Sequence, residues 1–227
     1  MPIPKHNDSL RPQSAKDIVY QTIRQWIIEG DLTPGERLSD EELSQHFSVS
    51  RTPIREAFQI LETQKLIRVL PGKATVVAEL DLNNIKNCYL PLARLQALAA
   101  ELACDHVTAD QITALKKLNH LCGIAKSGNE VKRIIEADDQ FHYAVLNIAG
   151  NEMIMEFCSV LISHVRRAEY QFYRAVTSKR QSAEEHNRII YALEKCDRTS
   201  AGIAMQENWL STVYYFEQIT GQQNLQG

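Results

Sequence analysis

Apolar residues recur every three to four positions along most of this chain. Ile18, Ile23 and Ile27, then Leu92, Leu95, Leu98 and Leu102, then Ile189, Ile190 and Leu193 follow a helical period, as expected of amphipathic helices packed on a core. Helix starts are marked by Ser or Thr with an acidic or amide residue three positions later: "SAKD" at 14, "SDEE" at 39, "TADQ" at 108, "SGNE" at 127 and "SAEE" at 182. In such a capping box the hydroxyl accepts from a free amide and the later side chain reaches back. Asp81 is a further candidate cap. One stretch breaks the period. "LIRVLPGKATVV" alternates at Ile67/Val69 and Thr75/Val77 around "PGK", so a β-hairpin is expected there.

The order of elements is informative. Helix 14–29, a turn in "LTPGERL", helix 39–46, helix 50–64 and hairpin 67–77 predict a winged helix-turn-helix of three helices plus a β-hairpin wing, over residues 14–79. Residues 80–220 read as an all-helical antiparallel bundle, and residues 1–13 and 221–227 as flexible ends, so the fold class is mainly α. On helix 50–64, Ile54, Phe58, Leu61 and Ile60 form the expected inner face, with Ser50, Arg51, Thr52 and Arg55 at the N-terminal end on the other side. Arginine pairs bidentately with guanine, while hydroxyls and helix-end amides suit phosphate oxygens. Gly72 would let the wing approach DNA closely and Lys73 would supply charge. The competing reading is a solvated helix with ordinary surface arginines.

Composition fits either reading. The chain has 227 residues, 44% hydrophobic and 23% charged, ordinary for a globular protein of one large or two smaller domains. A formal charge of −3 excludes a general basic coat. The stretch from Arg51 to Lys73 nevertheless carries five basic residues against two acidic ones. Cys88, Cys104, Cys122, Cys158 and Cys196 are dispersed, with no C-x-x-C pair, as expected of reduced thiols. The start "MPIPKHNDSL" has no apolar signal region and no stretch approaches a membrane span, so a soluble cytoplasmic protein with no membrane partner is expected.

The stretch from Leu32 to Val77, "LTPGERLSDEELSQHFSVSRTPIREAFQILETQKLIRVLPGKATVV", resembles the DNA-binding domain of the GntR family of bacterial transcription regulators. The resemblance implies that Ser50, Arg51, Thr52, Arg55, Gly72 and Lys73 occupy DNA-contacting positions. Gln64-Lys65 stands where family members often carry a glycine, and Glu41 where some use an arginine toward DNA.

Asp138 and His142 lie four apart, and so on one helical face. This is half of a metal site, but a surface pair or a core histidine fits as well. "DDQFHYAVLNIAGN", "EEHNRIIYALEKCD" and "AMQENWL" resemble the FCD effector domain, the all-helical ligand-binding module of the FadR subfamily of GntR regulators. The resemblance implies metal ligands at Asp138, His142, His186 and Asn208, with Asn208 where metal-binding members carry a histidine. An amide oxygen is a harder and weaker donor than imidazole, so Zn²⁺ or Ni²⁺ would be held less tightly. The site then either keeps a labile metal, Mn²⁺ included, or has lost it and binds an organic effector through its histidines. Arg94 matches an arginine that often faces the cavity in such domains, where it would suit a carboxylate; a surface arginine is the equal alternative. Leu98 replaces the glutamate usual one turn later. His164 matches no ligand position and is structural or pocket-lining. Arg166 and Arg167 are further anion-binding candidates, read mainly as solvated helix face, and the aromatics Tyr170, Phe172, Tyr173, Tyr214, Tyr215 and Phe216 read as helix packing rather than a ligand cage.

No H-E-x-x-H, nucleophile elbow or phosphate-binding glycine loop is present. Asp139 or Glu185 could be invoked as a general base, or either is simply a charged neighbour. The expectation is a ligand-responsive regulator, a repressor rather than an enzyme. It would bind a palindromic double-stranded operator as a homodimer and be switched by a small carboxylate metabolite beside a divalent metal. The alternative is a metal-dependent enzyme acting on a small acid, its front domain vestigial.

Overall fold

The computed structural model describes residues 14–70, 72, 74–80, 82–128, 131–176 and 182–223, excluding the side chains of 82–84, 126–128, 131, 172–176 and 215–223. The expected flexible segment 1–13, the end 224–227, Lys73 and the Asp81 cap lie outside the described residues. The chain divides into two compact units between Glu79 and Leu80.

In the first unit, helix α1 (Ala15–Glu29) starts on a complete capping box, in which Ser14 and Asp17 satisfy each other's amides. It ends at Gly30, whose φ of +87° is the left-handed conformation that glycine adopts without a Cβ penalty. Val19, Ile23 and Ile27 fill its inner stripe at a spacing of four. Ile18, expected there, is 48% exposed because it lies one residue off that stripe. Strand β1 (Arg37–Leu38) is a correction, since "LTPGERL" was read as a turn alone. Helices α2 (Asp40–His46) and α3 (Arg51–Thr63) follow, then strands β2 (Ile67–Leu70) and β3 (Ala74–Val77). The strands form an antiparallel sheet in the order β1-β3-β2, with Leu38 opposite Thr75 and Ile67 opposite Val77.

Ile54, Ala57, Phe58 and Leu61 of α3 pack with Ile23, Ile27, Leu66, Ile67 and Val77 into one core. Ile60, expected with them, is only partly buried. Lys65 takes the left-handed φ of +59° that a glycine would hold more easily. Gln64 compensates at the same turn, accepting the Tyr20 hydroxyl at 3.0 Å.

Every element of the second unit among the described residues is a helix: α4 (Leu82–Ala103), α5 (Ala109–Gly128), α6 (Val131–Ala149), α7 (Glu152–Val176), α8 (Ser182–Glu194) and α9 (Arg198–Gln223). Helix α5 opens on a full capping box of Thr108 and Gln111. The signal at 127 does not fall on a helix start, because Ser127 lies inside α5. Helices α4 and α9 run antiparallel, fastened by Arg94 to Gln206 and Asp105 to Arg198. Ala93, Ala97, Ala99, Ala100 and Ala103 line the buried side of α4, and these small side chains permit close helix approach. The leucine period on α4 therefore misleads. Leu92 is buried, Leu95 and Leu102 partly so, and Leu98 is 42% exposed, so Leu98 does not line an interior pocket. Ile189, Ile190 and Leu193 are buried as expected. No described helix is long and apolar enough to cross a membrane.

Candidate functional site

The tip of α3 presents Ser50, Arg51, Thr52 and Arg55, all exposed. Ser50 occupies the cap position with extended backbone, yet its side chain makes no capping bond. Both arginines are tied to the start of α2. Arg51 Nη2 lies 2.9 Å from Glu41, and Arg55 reaches Asp40 Oδ2 through Nε at 2.9 Å and Nη2 at 2.8 Å. Gly72 sits exposed at the wing turn with φ +68°. Exposed ion pairs of this kind contribute little to stability. Each guanidinium is held against an acidic side chain that an incoming anion would have to displace.

Inside the helical unit, Asp138, His142 and His186 are each at most 4% exposed and each offers one donor atom within 4.8 Å of the others. His186 Nε2 is 3.4 Å from Asp138 Oδ1, and His142 Nε2 is 3.8 Å from Asp138 Oδ2. Donors held about 2.1 Å from one tetrahedral ion stand about 3.4 Å apart, so the donor set fits a divalent metal. Phe141 stacks on His186 at 3.9 Å and Trp209 packs on His142 at 4.6 Å, fixing both rings. Asn208 is fully buried, and its Nδ2 donates to Glu185 Oε2 at 2.8 Å.

The charges behind this cluster come from a residue the sequence reading placed on a solvated face. Arg166 is 2% exposed. Its guanidinium donates to Asp138 Oδ2 at 2.7 Å, to Asp139 Oδ1 at 2.7 Å and to Glu169 Oε2. Glu169 also accepts the Tyr89 hydroxyl at 3.0 Å, and the guanidinium lies 5.5 Å from the Trp209 ring. Burial works against the Arg166 charge, but Asp139, Glu169 and Asp138 together hold its pKa well above the ordinary value. Burial pushes the Asp139 carboxyl up to about 6 against the pull of Arg166. Its side chain keeps a quarter of its surface, and water screens part of that push. Three carboxylates surround one guanidinium, and Asp138 keeps Oδ1 turned to His186.

The other sequence candidates are scattered. Arg94 is exposed and donates to Gln206 at 2.7 Å, as the surface alternative had it. Arg167 is buried too, at 5% exposure, a second correction to the solvated-face reading. His164 is partly buried, two residues before Arg166 and so on a different side of α7. Tyr214 is 60% exposed, and Tyr170 is partly buried. The side chains of Phe172, Tyr173, Tyr215 and Phe216 lie outside the described residues. Sequence reasoning missed Glu169 and Asn119. The buried period of α7, Ile154, Cys158 and Ile162, runs on to Arg166 at the same spacing, and that period carried the signal.

Comparison with known proteins agrees with both units. Residues 15–77 match the family described as bacterial regulatory proteins, gntR family, and residues 92–209, more than half of the chain, match the FCD domain. The chain is 27% identical over 196 residues to the HTH-type transcriptional repressor RspR of Escherichia coli, covering 86% of each protein. It is 29% identical over 187 residues to YdhC of Bacillus subtilis, described as an uncharacterized HTH-type transcriptional regulator, covering 80% of this chain and 82% of that one. The solved structure of E. coli McbR/YncC superposes with a TM-score of 0.78 at 21% identity, over 92% of this chain and 100% of that one. The protein therefore belongs to the GntR family of bacterial DNA-binding transcription regulators, with an FCD domain as its helical unit.

Proposed function

We propose that this protein is a cytoplasmic, ligand-responsive repressor that binds a palindromic operator as a homodimer and is switched by a small carboxylate metabolite. The metabolite binds in the helical domain beside a divalent metal, Zn²⁺, Ni²⁺ or Mn²⁺, held by Asp138, His142, His186 and the Asn208 oxygen. Ser50, Arg51, Thr52 and Arg55, with Gly72 and Lys73 of the wing, contact the DNA. The observation that carries the effector reading is the surplus of buried negative charge, three carboxylates on the single guanidinium of Arg166. A carboxylate would be repelled from such an interior, whereas a divalent cation at the Asp138 cluster offsets the surplus and gives the acid a positive partner. Polar atoms of Gln96, Thr212 and Trp209 support the same reading, being buried without a hydrogen-bond partner among the described residues, a state that costs free energy until something fills it.

An enzymatic reading has less support. Asp139 and Glu185, the two carboxylates it would use as a base, are engaged by Arg166 and Asn208, and the relatives named above are transcriptional regulators. The test is operator binding, followed by fluorescence anisotropy, against a panel of small acids with and without added metal. Metal-dependent release by at least one acid is the expected result. If no acid changes operator affinity while metal is bound, the effector reading fails.

A further inference from the structure

Two side chains outside the proposed ligand set meet it from behind. Asn119 on α5 is buried, and its Oδ1 lies 3.1 Å from His186 Nδ1. Its Nδ2 donates to the Ala183 carbonyl at 2.9 Å and to Asn187 Oδ1 at 2.8 Å. Both amide protons are thereby committed, so the atom facing the ring is an oxygen, which can only accept. In the neutral ring His186 Nδ1 then carries the proton, and Nε2 keeps the lone pair. Nε2 is the atom that lies 3.4 Å from Asp138 Oδ1.

Glu185, the neighbour of His186 on α8, makes the matching contact to α9. Its Oε2 accepts Asn208 Nδ2 at 2.8 Å and the Ser211 hydroxyl at 3.3 Å. A carboxylate only accepts, so the amide nitrogen of Asn208 is turned to Glu185 and the oxygen occupies the other branch. This matters more for an amide than for an imidazole. The two ends of an amide have opposite character, and only the oxygen can bind a cation.

We infer that Asn119 and Glu185 are positioning residues that set the His186 tautomer and the Asn208 amide, so that both present a lone pair to a divalent cation shared with Asp138 and His142. The inference rests on the metal reading above and explains how an asparagine serves in a site of this kind. Outer partners of metal ligands fix ring orientation and raise ligand basicity, and losing one typically lowers metal affinity about 10–100-fold.

The test compares the full-length wild type with Asn119→Ala, Asn119→Asp and Glu185→Gln. Affinities for Mn²⁺, Ni²⁺ and Zn²⁺ are measured by competition with a chromophoric chelator. Imidazole tautomers are read by long-range ¹⁵N–¹H NMR on metal-free protein. Wild type is expected to show His186 as the Nδ1–H tautomer, and Asn119→Ala a mixture. Metal affinity is expected to fall about 10–100-fold in Asn119→Ala and Glu185→Gln, the latter because glutamine offers a donor as well as an acceptor and no longer fixes the amide. Asn119→Asp separates orientation from mere lacing of α5 to α8. It forfeits both donated bonds but keeps an acceptor at Nδ1, so its affinity should stay within a few-fold of wild type. If Asn119→Asp is as weak as Asn119→Ala, or if Asn119→Ala keeps both wild-type tautomer and affinity, the positioning role is overturned. A wild type that takes up none of the three metals overturns the metal reading and this inference together. Unchanged variants of a metal-binding wild type overturn only the inference.

Discussion

Arg166→Met removes the guanidinium that three carboxylates of the helical unit share. The guanidinium is 2% exposed and bonded to Asp138 and Glu169, which are equally buried, and to the quarter-exposed Asp139. Methionine replaces most of the aliphatic stem, so the loss is electrostatic rather than a cavity. Breaking a buried ion pair by deleting one partner costs about 3–5 kcal/mol, because the charges left behind are neither solvated nor paired. Urea unfolding of the metal-free chain measures this directly. The protein has two tryptophans, and a Trp26→Phe background leaves Trp209, 5.5 Å from the guanidinium, as the reporter. With a urea slope of about 2 kcal/mol/M, the midpoint should fall by roughly 1.5–2.5 M. Adding Asp139→Asn should return part of the loss by removing one of the three stranded carboxylates. A fall below about 0.5 M, or 1 kcal/mol at that slope, would mean that water or a rearranged helix already screens the cluster, and the charge argument would fail.

Four further outcomes are expected. Arg55→Ala should weaken operator binding by about 1–3 kcal/mol, measured by anisotropy; unchanged affinity would remove α3 as the reading helix. Glu41→Gln should strengthen DNA binding several-fold at little cost in stability, since its pair with Arg51 is exposed and such pairs contribute at most about 1 kcal/mol. Weaker binding would show that Glu41 is needed to aim Arg51. Gln96→Leu should raise the stability of the ligand-free protein by up to about 1–3 kcal/mol, the cost of an unsatisfied buried group, while abolishing the effector response; a destabilised variant would show that the amide is satisfied in solution. With iodoacetamide, exposed Cys196 should be labelled first. Cys158, fully buried and with its thiol pushed up to about 12 by burial, should label only on unfolding.

Features set by local chemistry were legible in the sequence. The Ser14 and Thr108 capping boxes, the hairpin around "PGK" and the inner face at Ile54, Phe58 and Leu61 depend on residues close together in the chain. Strand β1 was not legible, because two residues carry no period and pair only through β3. Leu98 misled because α4 buries alanines against α9, and nothing in a leucine spacing says which stripe the partner helix prefers. The cluster of Asp138, His142 and His186 was suggested by resemblance, but its electrostatics were not. Arg166, Glu169 and Asn119 come from helices remote in sequence, and an arginine reads as surface until its carboxylates are seen around it.

A ligand can switch a protein only by its difference in affinity for two arrangements. Moving a population from 1:99 to 99:1 needs about a 10⁴-fold preference, roughly 5.5 kcal/mol. One charge-assisted hydrogen bond contributes about 1.5–3 kcal/mol, so a single point of attachment falls short. Asp138 and His142 come from α6, His186 from α8 and Asn208 from α9, while Arg166 ties α6 to α7 and, through Glu169 and Tyr89, to α4. On the proposed function, an acid that both chelates a metal there and reaches a polar group such as Gln96 or Thr212 would touch several of these helices at once, and so would favour one register of them. A simple monocarboxylate would meet such a metal alone. Saturating acetate is therefore expected to bind without releasing the operator, whereas a larger polyfunctional acid at equal occupancy releases it. Operator release by acetate as complete as that by the larger acid would show that the metal contact alone distinguishes the two arrangements, and that the buried polar groups take no part in the switch.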